Sequence, residues 1–249
     1  MITIKNAVQI EKMSAAGTIL RMALMTAGEA AVPGVRTREL DEIIKAVIEG
    51  KGARPVFMGY MGYPANSCIS VNEAVVHGIP DDRMLAEGDL VSIDVGVEKD
   101  GWMADSAMTF AVGEVGEEAS RLMDVTLRSL EKGIEQCLPG RHLSDISNAI
   151  QVHVESNGFS VVRDLVGHGI GRNLHEEPQI PNFGPPGRGP VLKPGMVFAI
   201  EPMVNAGTEK VKTLDDEWTV VTADGKLSAH FEHTVAVTER GPRILTLSS

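Results

Sequence analysis

The chain has 249 residues, 43% of them hydrophobic, which is enough apolar material for one large domain or two fused halves. Its formal net charge of −11 argues against nucleic acid as a substrate and against an anionic membrane as a partner. Cys68 and Cys137 lie far apart in sequence, the N-terminus lacks the apolar core of a signal peptide, and no apolar run reaches about 18 residues. We therefore expect a cytoplasmic protein with free thiols, and nothing demands an assembly larger than a monomer.

The first part of the chain predicts two helices followed by a strand. Asn6 can cap a helix that runs to about Ala31, where a Pro-Gly pair breaks it. Thr37 can cap a second helix that ends near Gly50. After a loop rich in Gly and Tyr, the apolar run at residues 68–71 predicts a strand.

Residues 90–112 alternate between apolar and polar side chains on both sides of Lys99-Asp100-Gly101, and this pattern predicts a β-hairpin. Asp94 and Asp105 fall on one face of it. A turn at Lys99-Asp100 would place them directly opposite each other, and a turn at Asp100-Gly101 would place them diagonally. Carboxylates this close repel each other, so a bound divalent cation is one explanation for them. A solvated sheet face is the alternative.

The second part of the chain repeats the order of the first. Helices are predicted at about 117–138 and 143–157, and features of the first half recur in order: Pro33, Gly34, Leu40, Ile44 and Gly52 correspond to Pro139, Gly140, Ile146, Ile150 and Gly158. We therefore expect one α+β catalytic domain over residues 1–249, built from similar halves at about 1–113 and 114–249 that pack about a pseudo-twofold axis.

Three further segments follow in the second half. The sequence VGHGIGR places His168 between glycines, and we expect it on a loop. Residues 181–195 are rich in Pro and Gly and predict a surface excursion. Residues 218–237 predict a hairpin that turns at Asp224-Gly225 and carries Glu232 into a strand.

Four carboxylates in strand-like segments and one histidine form a candidate ligand set for two divalent ions: Asp94, Asp105, His168, Glu201 and Glu232. Oxygen-rich sites with one imidazole suit hydrolysis by paired cations. His77 and His175 occupy matching H-x-x-P settings and could hydrogen-bond a substrate as neutral imidazoles. An ordinary polar role is the alternative for each.

These residues lie in the segments YMGYP, CISVNEAVVHGIP, IDVGVEKDGWMADSAMTF, GHGIGRNLHEEP, LKPGMVFAIEPM and FEHTVAV. With them the chain resembles the type I methionine aminopeptidases of peptidase family M24, in the short bacterial form without an N-terminal zinc-binding extension. The resemblance implies the pita-bread fold, in which helices cover a curved, largely antiparallel sheet. It also implies removal of the initiator methionine from nascent polypeptides near the ribosome, preferably before a small second residue.

The resemblance also implies a role for each site residue. Two divalent ions, which could be Mn, Fe(II), Co or Zn, would be the cofactors. Asp94 would bind the second ion, Asp105 and Glu232 would bridge both, and His168 and Glu201 would complete the shell of the first. Glu201 would also accept the proton of the attacking water, His175 would stabilise the oxyanion, and His77 would orient the scissile amide. The methionine side chain would lie against Tyr60, Tyr63, Cys68 and Trp218.

Four positions depart from the pattern that the family often shows, and they leave the shape of the pocket and its inhibitor preference open: Met61, Ala104, Ser106 and Leu174. Two alternatives remain. An Xaa-Pro peptidase shares this fold and ligand set, but such proteins usually carry a large N-terminal domain. A catalytically inactive relative could act as a binding module, but such relatives lose ligands that are all present here.

Overall fold

The computed structural model describes residues 1–247, in which four α-helices carry most of the helical structure: α1 (Ala7–Ala30), α2 (Thr37–Gly50), α3 (Glu117–Ile134) and α4 (Leu143–Ser156). The first helix is as predicted, because the Asn6 side chain accepts a hydrogen bond from the Gln9 backbone N–H at 3.0 Å. In α2 the prediction of Thr37 as the cap is wrong by one residue. Arg36 is the cap, and its backbone N–H donates to the Glu39 carboxylate at 2.7 Å.

Helix α3 ends earlier than the predicted Leu138. Cys137 N–H donates to the carbonyl of Ile134, and Gln136 N–H donates to that of Gly133, so the chain tightens into turns after the helix. Pro139 explains this, since a residue that precedes proline is disfavoured in the helical region.

Fifteen strands are present in the described residues: β1 (Arg54–Pro55), β2 (Cys68–Val71), β3 (Ala74–Val76), β4 (Leu90–Lys99), β5 (Trp102–Ala111), β6 (Ser160–Val161), β7 (Gly167–Gly169), β8 (Glu176–Ile180), β9 (Val197–Ile200), β10 (Met203–Asn205), β11 (Val211–Thr213), β12 (Val220–Thr222), β13 (Ser228–His230), β14 (His233–Thr238) and β15 (Gly241–Ile244). All strand pairs are antiparallel. They form sheets of four (β4 with β1, β2 and β5), three (β13-β10-β6), three (β11-β12-β3) and five strands (β15-β14-β9-β7-β8).

The predicted hairpin is present as β4 and β5, and its register decides between the two turns. Lys99 pairs with Trp102, so the turn lies at Asp100-Gly101, where φ is 52° and 76°. Positive φ at both central residues is the pattern of a type I′ turn. Asp94 therefore pairs with Ala107, and the two aspartates are diagonal neighbours on one face. The alternative that placed them directly opposite is wrong.

The hairpin predicted for residues 218–237 is also wrong. Its first arm, β12, pairs with β11 and β3, whereas its second arm, β13, pairs with β10. The chain does turn near Asp224, but the backbone of Asn72 and Glu73 lies between the two arms and bonds to both of them. Glu232 lies in the break between β13 and β14 and is not part of a strand.

The helices pack against the sheets and form two separate hydrophobic cores with them. The alternate residues Val91, Ile93, Val95 and Val97 of β4 are buried together with side chains of α1 and α2, as the alternation predicts. Helices α3 and α4 pack with Phe198 of β9 in the other core. Residues 185–191 of the predicted surface excursion are exposed. Among residues 1–247, none of the helices combines the length and the hydrophobicity of a membrane span.

Candidate metal centre and active site

A cavity of about 170 Å³ collects every side chain to which the sequence assigned a site role. Its walls are formed by Phe57, Tyr60, Met61, Tyr63, Cys68, His77, Asp94, Asp105, His168, Leu174, His175, Glu201, Trp218 and Glu232. The polar and the apolar members belong to one continuous space. A charged centre and an apolar pocket therefore adjoin each other.

The carboxylates enter the cavity from different elements. Asp94 lies on β4, Asp105 on β5, Glu201 directly after β9, and Glu232 between β13 and β14. Asp105 is 4% exposed and Glu232 is 2% exposed. Burial raises the pKa of Asp94 to about 7, and burial together with the neighbouring carboxylates raises the pKa of the other three well above the usual values.

His168 lies on strand β7, so its prediction as a loop residue is wrong. The flanking glycines allow neighbouring strands to approach closely, because a Cβ on Gly167 would lie 2.5 Å from the carbonyl oxygen of Ala199. The Nδ1 of His168 donates to the Gly169 carbonyl at 2.9 Å, which leaves the lone pair on Nε2. Burial lowers the pKa of His168 to about 3 and keeps the ring neutral.

The donor set fits a divalent cation. Nε2 of His168 lies 3.8 Å from Oδ2 of Asp105 and 3.6 Å from Oε1 of Glu201. Ligand atoms of Asp105, His168 and Glu232 all lie within 4.8 Å of one another. One oxygen each of Asp94, Asp105 and Glu232 is buried with no hydrogen-bond partner among residues 1–247. Buried carboxylates that face one another unpaired are costly unless cations compensate them.

The two remaining predicted histidines lie beside this centre. The Nδ1 of His175 is 2.6 Å from the Tyr60 hydroxyl, and the His175 and His168 rings are 4.2 Å apart at their centroids. Burial lowers the pKa of His175. His77 is partly buried. Burial is the larger cause that lowers its pKa, and the nearby His175 is the smaller one. Both rings are therefore neutral at neutral pH.

Aromatic side chains and a thiol form the apolar part of the cavity. The rings of Tyr63 and Trp218 meet edge to face with centroids 5.2 Å apart, and Phe57 packs edge-on against Tyr63 at 6.5 Å. Cys68 pairs across β2 and β4 with Asp94. Burial, and then the charge of Asp94, raises the pKa of the Cys68 thiol, so it remains protonated.

Sequence reasoning missed two side chains of the site. His230 is 1% exposed, and its Nε2 lies 3.8 Å from Oε2 of Glu201. The spacing His-Phe-Glu-His around Glu232 was the available signal. Phe57 lines the apolar pocket, and no pattern in the sequence distinguishes it from a core residue.

The model of metallopeptidase family M24 matches residues 11–239. The chain belongs to metallopeptidase family M24. This M24 peptidase is 57% identical over 247 residues to the methionine aminopeptidase of Clostridium perfringens, with 99% of each chain covered. The crystal structure of methionine aminopeptidase from Thermotoga maritima matches with a TM-score of 0.98 and 47% identity over 100% of both chains.

A prolidase shares the fold but matches less closely than the methionine aminopeptidases do. Prolidase from Pyrococcus furiosus has a TM-score of 0.79 and 25% identity, and covers 99% of this M24 peptidase but 66% of the prolidase chain. The pita-bread fold and the resemblance to methionine aminopeptidases, both predicted from the sequence, are confirmed. The prediction of a hydrolase that uses divalent metal is confirmed as well.

Proposed function

We propose that this M24 peptidase removes the initiator methionine from nascent polypeptides. The observation that carries the proposal is the adjacency of a buried carboxylate and imidazole centre to an apolar pocket in one cavity. A pocket with aromatic walls and a thiol suits an unbranched thioether. Preference for a small second residue rests on the likeness to methionine aminopeptidases alone.

Two divalent ions are the proposed cofactors, and the carboxylates and His168 would hold them. Asp105 and Glu232 would be shared, Asp94 would serve one ion, and His168 with Glu201 would serve the other. Bound cations lower the pKa of water from about 15.7 toward neutrality and so supply hydroxide at neutral pH. Mn, Fe(II), Co and Zn all suit such a ligand set.

The remaining steps belong to side chains of the protein. Glu201 would accept the proton of the attacking water and pass it to the leaving amine. If the Tyr60 hydroxyl donates to Nδ1 of His175, the ring proton lies on Nε2, where it can stabilise an oxyanion. His77 would orient the scissile amide from its position on the same cavity wall.

The substrate assay compares a Met-Ala peptide, a Leu-Ala peptide and an Xaa-Pro dipeptide on the metal-loaded protein. We expect rapid release of methionine from the first and slow reaction with the other two. Faster hydrolysis of the Xaa-Pro dipeptide would favour the prolidase-like alternative. Bound metal with no hydrolysis of any peptide would indicate a binding module.

We also propose the cellular context that the family branch suggests. The substrate would be met in the cytoplasm, near the ribosome, where new N-termini emerge. The protein would act as a monomer, because one chain supplies every residue of the cavity. Sedimentation of the metal-loaded protein and co-sedimentation with ribosomes test these two statements separately.

A further inference from the structure

His230 is the buried imidazole of the site that the proposed mechanism leaves without a role. It ends strand β13, is 1% exposed, and pairs with Met203 of β10. Its Nε2 has no hydrogen-bond partner anywhere in residues 1–247. Such a polar atom is costly to bury, which points to a partner that it meets during function.

The nearest acidic group to Nε2 of His230 is the Glu201 carboxylate, whose two oxygens face different imidazoles. Oε1 lies 3.6 Å from Nε2 of His168, and Oε2 lies 3.8 Å from Nε2 of His230. The second distance exceeds a formed hydrogen bond by roughly 0.8 Å. Contacts within active sites commonly tighten when substrate binds.

The backbone of His230 is held from two directions by a single side chain. The His230 N–H donates to the Thr109 hydroxyl at 2.9 Å. The same hydroxyl donates to the His230 carbonyl at 2.8 Å. Thr109 lies on β5, the strand that carries Asp105, and its hydroxyl is also 2.8 Å from that of Ser92 on β4. The hairpin that presents the two aspartates therefore also fixes the backbone of His230, from which the ring extends toward Glu201.

We propose that His230 is a positioning residue for Glu201. Its Nε2–H donates to Oε2, which holds the carboxylate so that Oε1 faces the reacting water and His168. A carboxylate can only accept, so the contact requires the ring proton on Nε2. The role rests on the proposed function, in which Glu201 is the proton acceptor. His230 itself would neither bind an ion nor touch the substrate.

Two substitutions test the role, with a matched control elsewhere in the chain. In His230→Leu, kcat and kcat/KM for a Met-Ala peptide should fall together by about 10- to 100-fold. His230→Gln retains an N–H donor and should recover most of that loss. His153 in α4 also has a buried Nε2 without a partner in the described chain. His153→Leu should nevertheless leave kcat unchanged, because α4 carries none of the site residues.

Two further measurements do not depend on activity. The ¹⁵N spectrum of histidine-labelled protein loaded with Zn²⁺, in which Glu201 would be an ionised carboxylate, should show the His230 proton on Nε2, with the signal assigned by its loss in His230→Gln. Titration with Mn²⁺ alone should give the same number of bound ions in wild type and His230→Leu. A proton on Nδ1, a lost Mn²⁺ site, or undiminished kcat in His230→Leu would each overturn the proposal. If His230→Leu does not fold, the test uses His230→Gln. A folded His230→Gln protein whose kcat lies well below that of wild type would overturn the proposal. An inactive wild type with the expected spectrum would instead count against the proposed function.

Discussion

At the scale of single residues, burial favours the uncharged forms of the acids and bases in the site. Burial raises the pKa of Asp94 to about 7 and lowers the pKa of both His168 and His230 to about 3. Protonated carboxyls and neutral imidazoles are the states that a low-dielectric cavity favours. Cation binding must therefore displace protons from the acids, whereas Nε2 of His168 already carries a free lone pair.

The pKa of Asp94 predicts how the metal-free protein depends on pH. A carboxyl whose pKa is higher in the folded state contributes stability that is present below its unfolded pKa, about 4, and is lost as pH rises through 7. In EDTA, Asp94→Asn should therefore gain stability relative to wild type between pH 4 and 8, by up to about 4 kcal/mol. Urea unfolding of both proteins across this pH range measures the difference in their free energies of unfolding. Both proteins contain the same histidines, so the contribution of histidine titration cancels in that difference.

Saturating Mn²⁺ provides the control for that series. Wild type should then become the more stable of the two proteins at pH 8, because the carboxylate gains a cation that the amide binds weakly. A difference between the two proteins that does not change with pH in EDTA would contradict the raised pKa.

The proposed division of ligands between two ions predicts distinct losses. Asp94→Asn should keep one tightly held ion and lose the weaker one. His168→Ala should lose the tighter ion, because that ion draws on more ligands. Isothermal titration with Mn²⁺ or Co²⁺ gives the stoichiometries, with Glu42→Gln on the exposed face of α2 as a control for acid removal. The reverse pattern, in which Asp94→Asn loses the tight site, would exclude the division.

The proposed oxyanion role predicts a loss of rate without a loss of metal for His175→Ala. One hydrogen-bond donor to an oxyanion contributes about 10²- to 10³-fold in rate, so kcat/KM should fall by that factor. Tyr60→Phe removes the hydroxyl that contacts Nδ1 and should have a smaller effect. Steady-state kinetics with metal analysis checks both variants. Loss of metal from His175→Ala would show that this side chain is a ligand.

At the scale of elements, helix α2 anchors the loop that carries the pocket tyrosines. The buried Asp41 carboxylate accepts hydrogen bonds from the backbone N–H groups of Asn66 and Ser67 at 3.1 and 2.8 Å. It also accepts from their side chains at 2.7 and 2.6 Å. These two residues lie three and four positions after Tyr63 in the same loop, so the helix fixes one wall of the cavity from outside it.

Replacing this carboxylate should therefore loosen the pocket as well as the fold. In Asp41→Asn an amide N–H₂ replaces an acceptor and leaves buried donors unpaired, which costs about 1–3 kcal/mol of unfolding free energy. We also expect KM for a Met-Ala peptide to rise more than kcat falls. Urea unfolding and steady-state kinetics test this, with exposed Glu42→Gln as the comparison. An unchanged KM in a destabilised variant would separate the anchor from the pocket.

At the scale of the whole molecule, the sequence predicted what depends on local patterns and failed where distant segments meet. Alternating side chains predicted the β4 and β5 hairpin, and Asn6 predicted the start of α1. The prediction of a hairpin at 218–237 was wrong because the turn near Asp224 gives no information about the distant strands with which its two arms pair. The prediction that His168 lies on a loop was wrong for a related reason. Its glycines serve close strand packing, which only the sheet reveals.

The sequence indicated the residues that share the cavity better than it indicated the strands around them, because their residue types are unusual in strands. Their roles as ligands and catalytic groups stay predictions. An acid such as Asp94 within a strand is conspicuous, whereas a phenylalanine such as Phe57 resembles any core residue. The duplication into halves at about 1–113 and 114–249 stays a prediction. The repeated order of two helices followed by strands, with α1 and α2 in one half and α3 and α4 in the other, agrees with it.

The distribution of the proposed ligands has a mechanical consequence. Asp94 and Asp105 lie on the four-stranded sheet, whereas His168, Glu201 and Glu232 belong to segments more distant in the chain. An ion that binds both groups acts as a reversible cross-link between sheets that local fluctuations would otherwise separate. The open forms that a protease attacks must release it first.

Metal ions should therefore protect the chain from digestion far from the cavity. At a free Mn²⁺ concentration about 100 times its Kd, linkage gives about 2.7 kcal/mol, which corresponds to roughly 100-fold slower trypsin cleavage of the native protein. Asp105→Asn, which lacks one proposed shared ligand, should lose most of this protection. Equal protection of that variant would place the Mn²⁺ elsewhere. If the protection depends on Asp105, the cofactor that activates the enzyme also sets how long each molecule survives between encounters with proteases.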